Sequence, residues 1–127
     1  MTSDEFRLSR VRQIALPAFD QDRAVAFYRD KLGLTHQFSV PNLAFFDCDG
    51  LTLLLSKPET KELEPPGSII YFDVADIQAA YRTLKDRGVA FVDEPHVIAE
   101  MEAHVVWMAF FHDTEGNLLS LMSQVPH

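Results

Sequence analysis

The chain has 127 residues, 47% of them hydrophobic and 24% charged, which is enough for one domain with a real core. A net charge of −8 opposes binding to nucleic-acid phosphates or anionic membrane surfaces, and no apolar run is long enough to span a bilayer. The single cysteine, Cys48, excludes an internal disulfide and points to a reducing cytoplasm, and the polar start Met1 to Arg10 lacks the apolar centre of a signal peptide.

In chain order, residues 1–10 read as an N-terminal arm. Arg12 to Ala18 reads as a short strand that Pro17 keeps out of the middle of a sheet. Asp20 is placed to cap a helix carrying Ala24, Phe27, Tyr28 and Leu32 at helical spacing, with Gly33 closing it in a left-handed conformation. Three strands are expected next, at His36 to Val40, Leu43 to Asp47 and Leu51 to Ser56. The last two meet in an Asp-Cys-Asp-Gly hairpin with Gly50 at positive φ.

Residues 57–66, with Pro58, Pro65 and Pro66, read as a linker. The order then restarts. Ser68 to Val74 is a strand. Asp76 caps a helix with Ile77, Ala80, Tyr81 and Leu84 on one face, and Gly88 ends it. A short strand at Val89 to Val92 leads into a loop, Asp93 to Glu102. His104 to Phe111 and Asn117 to Met122 form a closing hairpin across Asp-Thr-Glu-Gly, and 124–127 is a tail.

The two halves repeat one another. Phe45-Phe46 precedes the first Asp-x-x-Gly turn and Phe110-Phe111 the second, and each half carries a helical Tyr-Arg, at Tyr28-Arg29 and Tyr81-Arg82. Internal repetition of this kind sets the architecture. The expected fold is α+β, one domain over 11–123 built from two βαβββ modules, 11–56 and 67–123, whose paired curved mixed sheets surround a cleft.

Four stretches carry a family resemblance. They are Arg23 to Leu34 with its Phe-Tyr and Leu-Gly, Phe72 to Ile77, Arg87-Gly88-Val89, and Phe110 to Leu118 with its Asp-Thr-Glu-Gly-Asn turn. Together they resemble the vicinal oxygen chelate superfamily of glyoxalase I, bleomycin-resistance proteins and extradiol dioxygenases. The resemblance implies a homodimer and, in the metal-dependent members, four strand positions bearing His or Gln, Glu, His and Glu around a divalent ion. Counted from the matching motifs, those positions fall here on Gln13, Leu54, Ile69 and Ser120. Aliphatic side chains cannot coordinate and a Ser hydroxyl is a poor ligand, so no metal site and no cofactor is carried over. A one-residue register slip brings in only Leu53, Leu55, Ile70, Leu119 and Leu121, all apolar.

Other chemistry is sparse. Alternation from Phe110 puts His104, Val106, Met108 and Phe110 on one face and Trp107 on the other. His104 reads either as a titratable group at a pocket edge, suited to proton transfer, or as a surface histidine. His96 flanks the same loop. Asp47 and Asp49 raise the Cys48 thiol pKa and argue against a nucleophilic thiolate. The expected function is binding of a small organic molecule in an apolar cavity lined by Gln13, Leu54, Ile69, Tyr71, His96, Met108, Phe110, Ser120 and Met122, without a metal. The alternatives are a glyoxalase-like lyase or isomerase holding an ion through Gln13, His104 and His96, and an interaction module whose cavity is filled by its own side chains.

Overall fold

The computed structural model describes residues 6–58 and 68–127. Most of the expected linker and the first five residues lie outside that range. No helix among the described residues is long and apolar enough to cross a membrane.

The first module opens with β1 (Gln13–Pro17), which pairs in parallel with β4 (Leu51–Ser56) at the edge of a four-stranded sheet ordered β1-β4-β3-β2. An edge is where Pro17, lacking an amide hydrogen, is tolerated. The Asp20 carboxylate accepts the Arg23 amide hydrogen at 3.1 Å and starts α1 (Gln21–Ala26). The chain then widens into a π-helical turn at Phe27–Lys31, closed by Leu32 N donating to the Phe27 carbonyl, and Gly33 exits at φ +80°. Strands β2 (Thr35–Val40) and β3 (Leu43–Cys48) follow. Between β3 and β4, Asp49 and Gly50 both have positive φ, 52° and 91°, and Cys48 faces Leu51. This is the two-residue turn whose twist suits a hairpin, as expected from the sequence.

The second module repeats the plan. Strand β5 (Ile70–Asp73) pairs in parallel with β9 (Leu118–Pro126), and α2 (Ile77–Asp86) is capped by Asp76, whose carboxylate accepts from Ala79 N at 3.0 Å. Strands β6 (Ala90–Phe91) and β8 (His104–His112) complete a sheet ordered β5-β9-β8-β6. The architecture is α+β with two mixed sheets, as read from the sequence.

Two expectations are corrected. The loop expected at Asp93 to Glu102 contains a strand, β7 (His96–Glu100), bonded to β8 with a register shift between Val97 and Ala99. The shift breaks the alternation by which a strand is recognised in sequence. The expected tail is also largely strand, because β9 runs to Pro126, which faces His104.

One core holds both modules. Leu16, Phe46, Leu53 and Leu55 from the first sheet and Ala109, Phe111, Leu119 and Leu121 from the second are buried with Phe27 and Tyr28, and with Ile77 and Leu84 of α2. Polar groups lock the halves together. Tyr28 donates to Asp113 Oδ2, Asn117 Nδ2 donates to the same oxygen, and Asn117 Nδ2 also reaches the Pro17 carbonyl at 2.9 Å. The Phe-Tyr of the first helical segment therefore meets the Asp-Thr-Glu-Gly-Asn turn of the closing hairpin. Two sequence motifs 85 residues apart are two sides of one contact.

Candidate functional site

Because one face of each sheet belongs to the core, the alternating residues point the other way and form an open face. On the first sheet the pairing aligns Gln13 with Thr52, Ala15 with Leu54, and Leu54 with Phe45. Phe38 and Phe45 stack with ring centroids 4.5 Å apart on the same face. On the second sheet, Tyr71 faces Ser120 and Ser120 faces Phe110, while Met108 faces both Met122 and His96. Ile69, one residue before β5, shares the alternation of Tyr71 and is exposed.

The sequence-derived candidates are thus gathered on two surfaces. Gln13 and Leu54 share the first; Ile69, Tyr71, His96, His104, Met108, Phe110, Ser120 and Met122 share the second. The Phe38–Phe45 stack was not among those candidates. Its signal was the alternation Leu43, Phe45, Asp47 in β3, which opposes Ala44 and Phe46 in the core.

Ser120 is the most informative position. It lies on the open face yet is 0% exposed. Its two cross-strand neighbours, Tyr71 and Phe110, meet edge to face with centroids 6.3 Å apart. The rings flank the serine and cover it. Its hydroxyl lies 2.8 Å from the Leu121 carbonyl and 3.3 Å from that of Ala109, and donates to this backbone pair. The oxygen is therefore engaged and shielded from the solvent side.

The histidines are spread out. His96 lies opposite Met108, and its Nδ1 contacts the Glu94 carbonyl at 2.8 Å. His104 lies opposite Pro126, four residues further along β8. At about 3.3 Å per residue the two are separated by roughly 13 Å along the strand, and side chains standing perpendicular to a sheet do not converge across that span. His112 is exposed at the end of β8, and His127 Nε2 contacts the Met101 carbonyl at 3.0 Å. Trp107 is on the helix-side face, packed against the core.

Strong electrostatic perturbation lies at the inter-module lock instead. Burial raises the Tyr28 hydroxyl pKa far above its ordinary value, and the charge and hydrogen bond of Asp113 push it further up. Glu115 has a lowered pKa. Burial opposes the charged form, but hydrogen bonds from Arg23, the Asp20 amide, Thr114 and the Phe19 amide outweigh it. The Cys48 thiol pKa is raised, first by burial and then by Asp47 and Asp49.

Cavities lined by described residues include one of about 360 Å³ between Leu32, Leu34, α2 and the second sheet. Another of about 530 Å³ lies beside α1 and β2, and one of about 370 Å³ at the start of α2 beside Trp107. None of these three is lined by the open-face candidates. Tyr71, 46% exposed, shows how open that surface is in a single chain.

Residues 10–121 match the family model of the glyoxalase/bleomycin resistance protein/dioxygenase superfamily. The chain belongs to this superfamily. It is 37% identical to the uncharacterized protein YurT of Bacillus subtilis (strain 168), with 83% of this chain and 91% of that protein covered. A lactoylglutathione lyase from Agrobacterium tumefaciens superposes with a TM-score of 0.75 at 23% identity, over 91% of this chain and 94% of the lyase. TnmS3, an antibiotic binding protein from Streptomyces sp. CB03234, superposes with a TM-score of 0.75 at 22% identity, over 94% and 99%. At these identities the two structures show a shared fold.

The four positions that the resemblance gives to a divalent ion carry a poor donor set in this chain. Leu54 and Ile69 offer carbon, Ser120 has a committed hydroxyl beneath two rings, and Gln13 remains as a single donor. Among the described residues no group of three His, Cys, Asp or Glu side chains is disposed to hold a metal.

Proposed function

We propose that this protein binds a small organic molecule on the open faces of its sheets, without a metal ion, as a homodimer in the cytoplasm. The observation that carries the reading is the sealing of Ser120 under Tyr71 and Phe110. At the position where the resemblance implies a metal-ligating Glu, this chain presents aromatic surface. Met108 and Met122 extend that apolar surface on the second sheet with His104 as a polar point, while Leu54, the Phe38–Phe45 stack and Gln13 form the separate open face of the first sheet. Methionine and aromatic side chains adapt to flat, polarisable ligands. The existence of an antibiotic binding protein with this fold is in keeping with a binding role.

The test is thermal unfolding with a panel of aromatic and cationic small molecules, in wild type and in Tyr71→Ala. A ligand that binds the folded state raises Tm, and the rise grows with the logarithm of its concentration above the dissociation constant. The reading expects at least one aromatic compound to raise the wild-type Tm, and the increase to shrink by more than half in the variant. A Tm that no compound in the panel moves contradicts it.

A further inference from the structure

The segment just before β1, residues 6–12, is basic in a chain of net charge −8, with Asp4 and Glu5 preceding it in sequence. Residues 6–12 read Phe-Arg-Leu-Ser-Arg-Val-Arg, and no acid occurs from Phe6 to Phe19. The inner end is anchored: the Arg12 carbonyl accepts Thr52 N at 2.9 Å, and Arg10 donates to the Gly50 carbonyl at 3.4 Å. The arm forms no strand or helix within the chain. Its apolar side chains are uncovered, Leu8 being 90% exposed and Phe6 and Val11 more than half exposed. Exposed apolar residues interleaved with arginines are an unpartnered binding segment.

The complementary surface lies on the other module. No Lys or Arg occurs after Arg87. Asp93, Glu94, Glu100 and Glu102 bracket β7, an edge strand paired on one side to β8 and free on the other among the described residues. Val97, Ile98 and Met101 are exposed along it. A free edge offers unpaired backbone groups, and flanking acids keep neutral or acidic strands away from it. They also keep two β7 edges apart, whereas a strand with three arginines is attracted.

We infer that residues 6–12 of one copy add as a strand to the free edge of β7 in a second copy. Backbone hydrogen bonds extend the five-stranded sheet by β-augmentation. Phe6 and Leu8 on one face of the added strand and Val11 on the other cover the exposed apolar side chains of β7 and Met101, and the arginines meet Glu94, Glu100 and Glu102. Two such contacts, each arm on the other copy's β7, close a symmetric dimer. The inference rests on the homodimer proposed above and names the contact that builds it.

The experiment is solution mass by light scattering on two full-length triple variants, separately and mixed. Arg7→Glu/Arg10→Glu/Arg12→Glu has an acidic arm and an acidic edge. Glu94→Lys/Glu100→Lys/Glu102→Lys has a basic arm and a basic edge. Each repels itself, while a mixed pair restores opposite charge at both contacts. The expected result is a wild-type dimer, a dissociation constant at least tenfold weaker for each variant alone, and recovery of the dimer on mixing. As a control independent of charge reversal, Leu8→Cys/Ile98→Cys in a Cys48→Ser background forms a disulfide between chains on oxidation. A wild-type dimer that survives both reversals, or that yields no cross-link, overturns the arm contact and leaves the homodimer standing. Variants that are monomeric alone and stay monomeric on mixing overturn it as well. A monomeric wild type overturns both, including one whose arginines instead bind vesicles of anionic lipid.

Discussion

Tyr28 donates its phenolic hydrogen to Asp113 Oδ2 at 2.7 Å, with both residues buried and in different modules. The contact tightens a wider network. Asp113 Oδ1 accepts the Glu115 and Asn117 amides at 2.8 Å each, and the Glu115 carboxylate accepts the amides of Phe19 and Asp20 at the start of α1. The closing turn of the last hairpin thus also caps the first helix. Removing the phenol oxygen by Tyr28→Phe leaves a buried carboxylate short of a donor. Stability should fall by about 1–3 kcal/mol, read as a lower urea midpoint with an unchanged slope.

Glu115 gives the network a pH signature. Its folded pKa lies below the unfolded value near 4.5, so its contribution is fully present above that value and is lost as pH falls through the lower folded pKa. Urea midpoints measured from pH 6 down to pH 3 should fall more steeply for wild type than for Glu115→Gln, which cannot titrate. The two curves should be separated most above pH 5. Parallel curves would show that Glu115 is not held as a carboxylate by Arg23 and the two amides.

Gly50 follows Asp49 in the β3–β4 turn at φ +91°. A side chain there is strained although the nearest atom to an added Cβ, Arg10 Nη2, is 3.5 Å away, an ordinary contact. Gly50→Ala is expected to cost about 1–2 kcal/mol through backbone conformation alone, measured by chemical unfolding. Gly50→Asn, whose side chain tolerates the left-handed region, should recover part of that loss.

Much of this was legible in the sequence because local chemistry and global fold agree. Asp20 and Asp76 announced their helices and both carboxylates cap. Asp49-Gly50 announced its hairpin, and alternation placed His104, Met108 and Phe110 on one face of β8. Strand β7 was hidden because its alternation is interrupted by a register shift and its ends are acidic. Period-two alternation fixes which strand residues share a face, and the structure puts Tyr71, Met108, Phe110, Ser120 and Met122 on one. How the two faces stand to each other was not legible, because alternation says nothing of contacts between sheets. The Tyr28–Asp113 bond was hidden for the same reason: a hydrogen bond across 85 residues has no local signature.

Phe110→Ala separates the cover over Ser120 from the serine itself. Loss of a partly buried ring on the open face is expected to cost about 1–3 kcal/mol and to weaken binding of an aromatic ligand at least tenfold. Ser120→Ala removes a hydroxyl bonded only to backbone carbonyls and should leave ligand affinity within twofold. Calorimetric titration of both variants with one aromatic ligand gives the comparison. Equal losses would place the hydroxyl, not the ring, against the ligand.

The most direct measurement is elemental analysis of the purified protein for divalent metals, joined to unfolding temperatures with magnesium, manganese, nickel and zinc added. With Leu54 and Ile69 at the positions the resemblance gives to metal ligands and the Ser120 hydroxyl committed to backbone, metal content should stay well below one ion per chain and Tm should not rise with any of the four. A stoichiometric ion, or an ion-dependent increase in Tm abolished by Gln13→Ala or His104→Ala, would contradict the account.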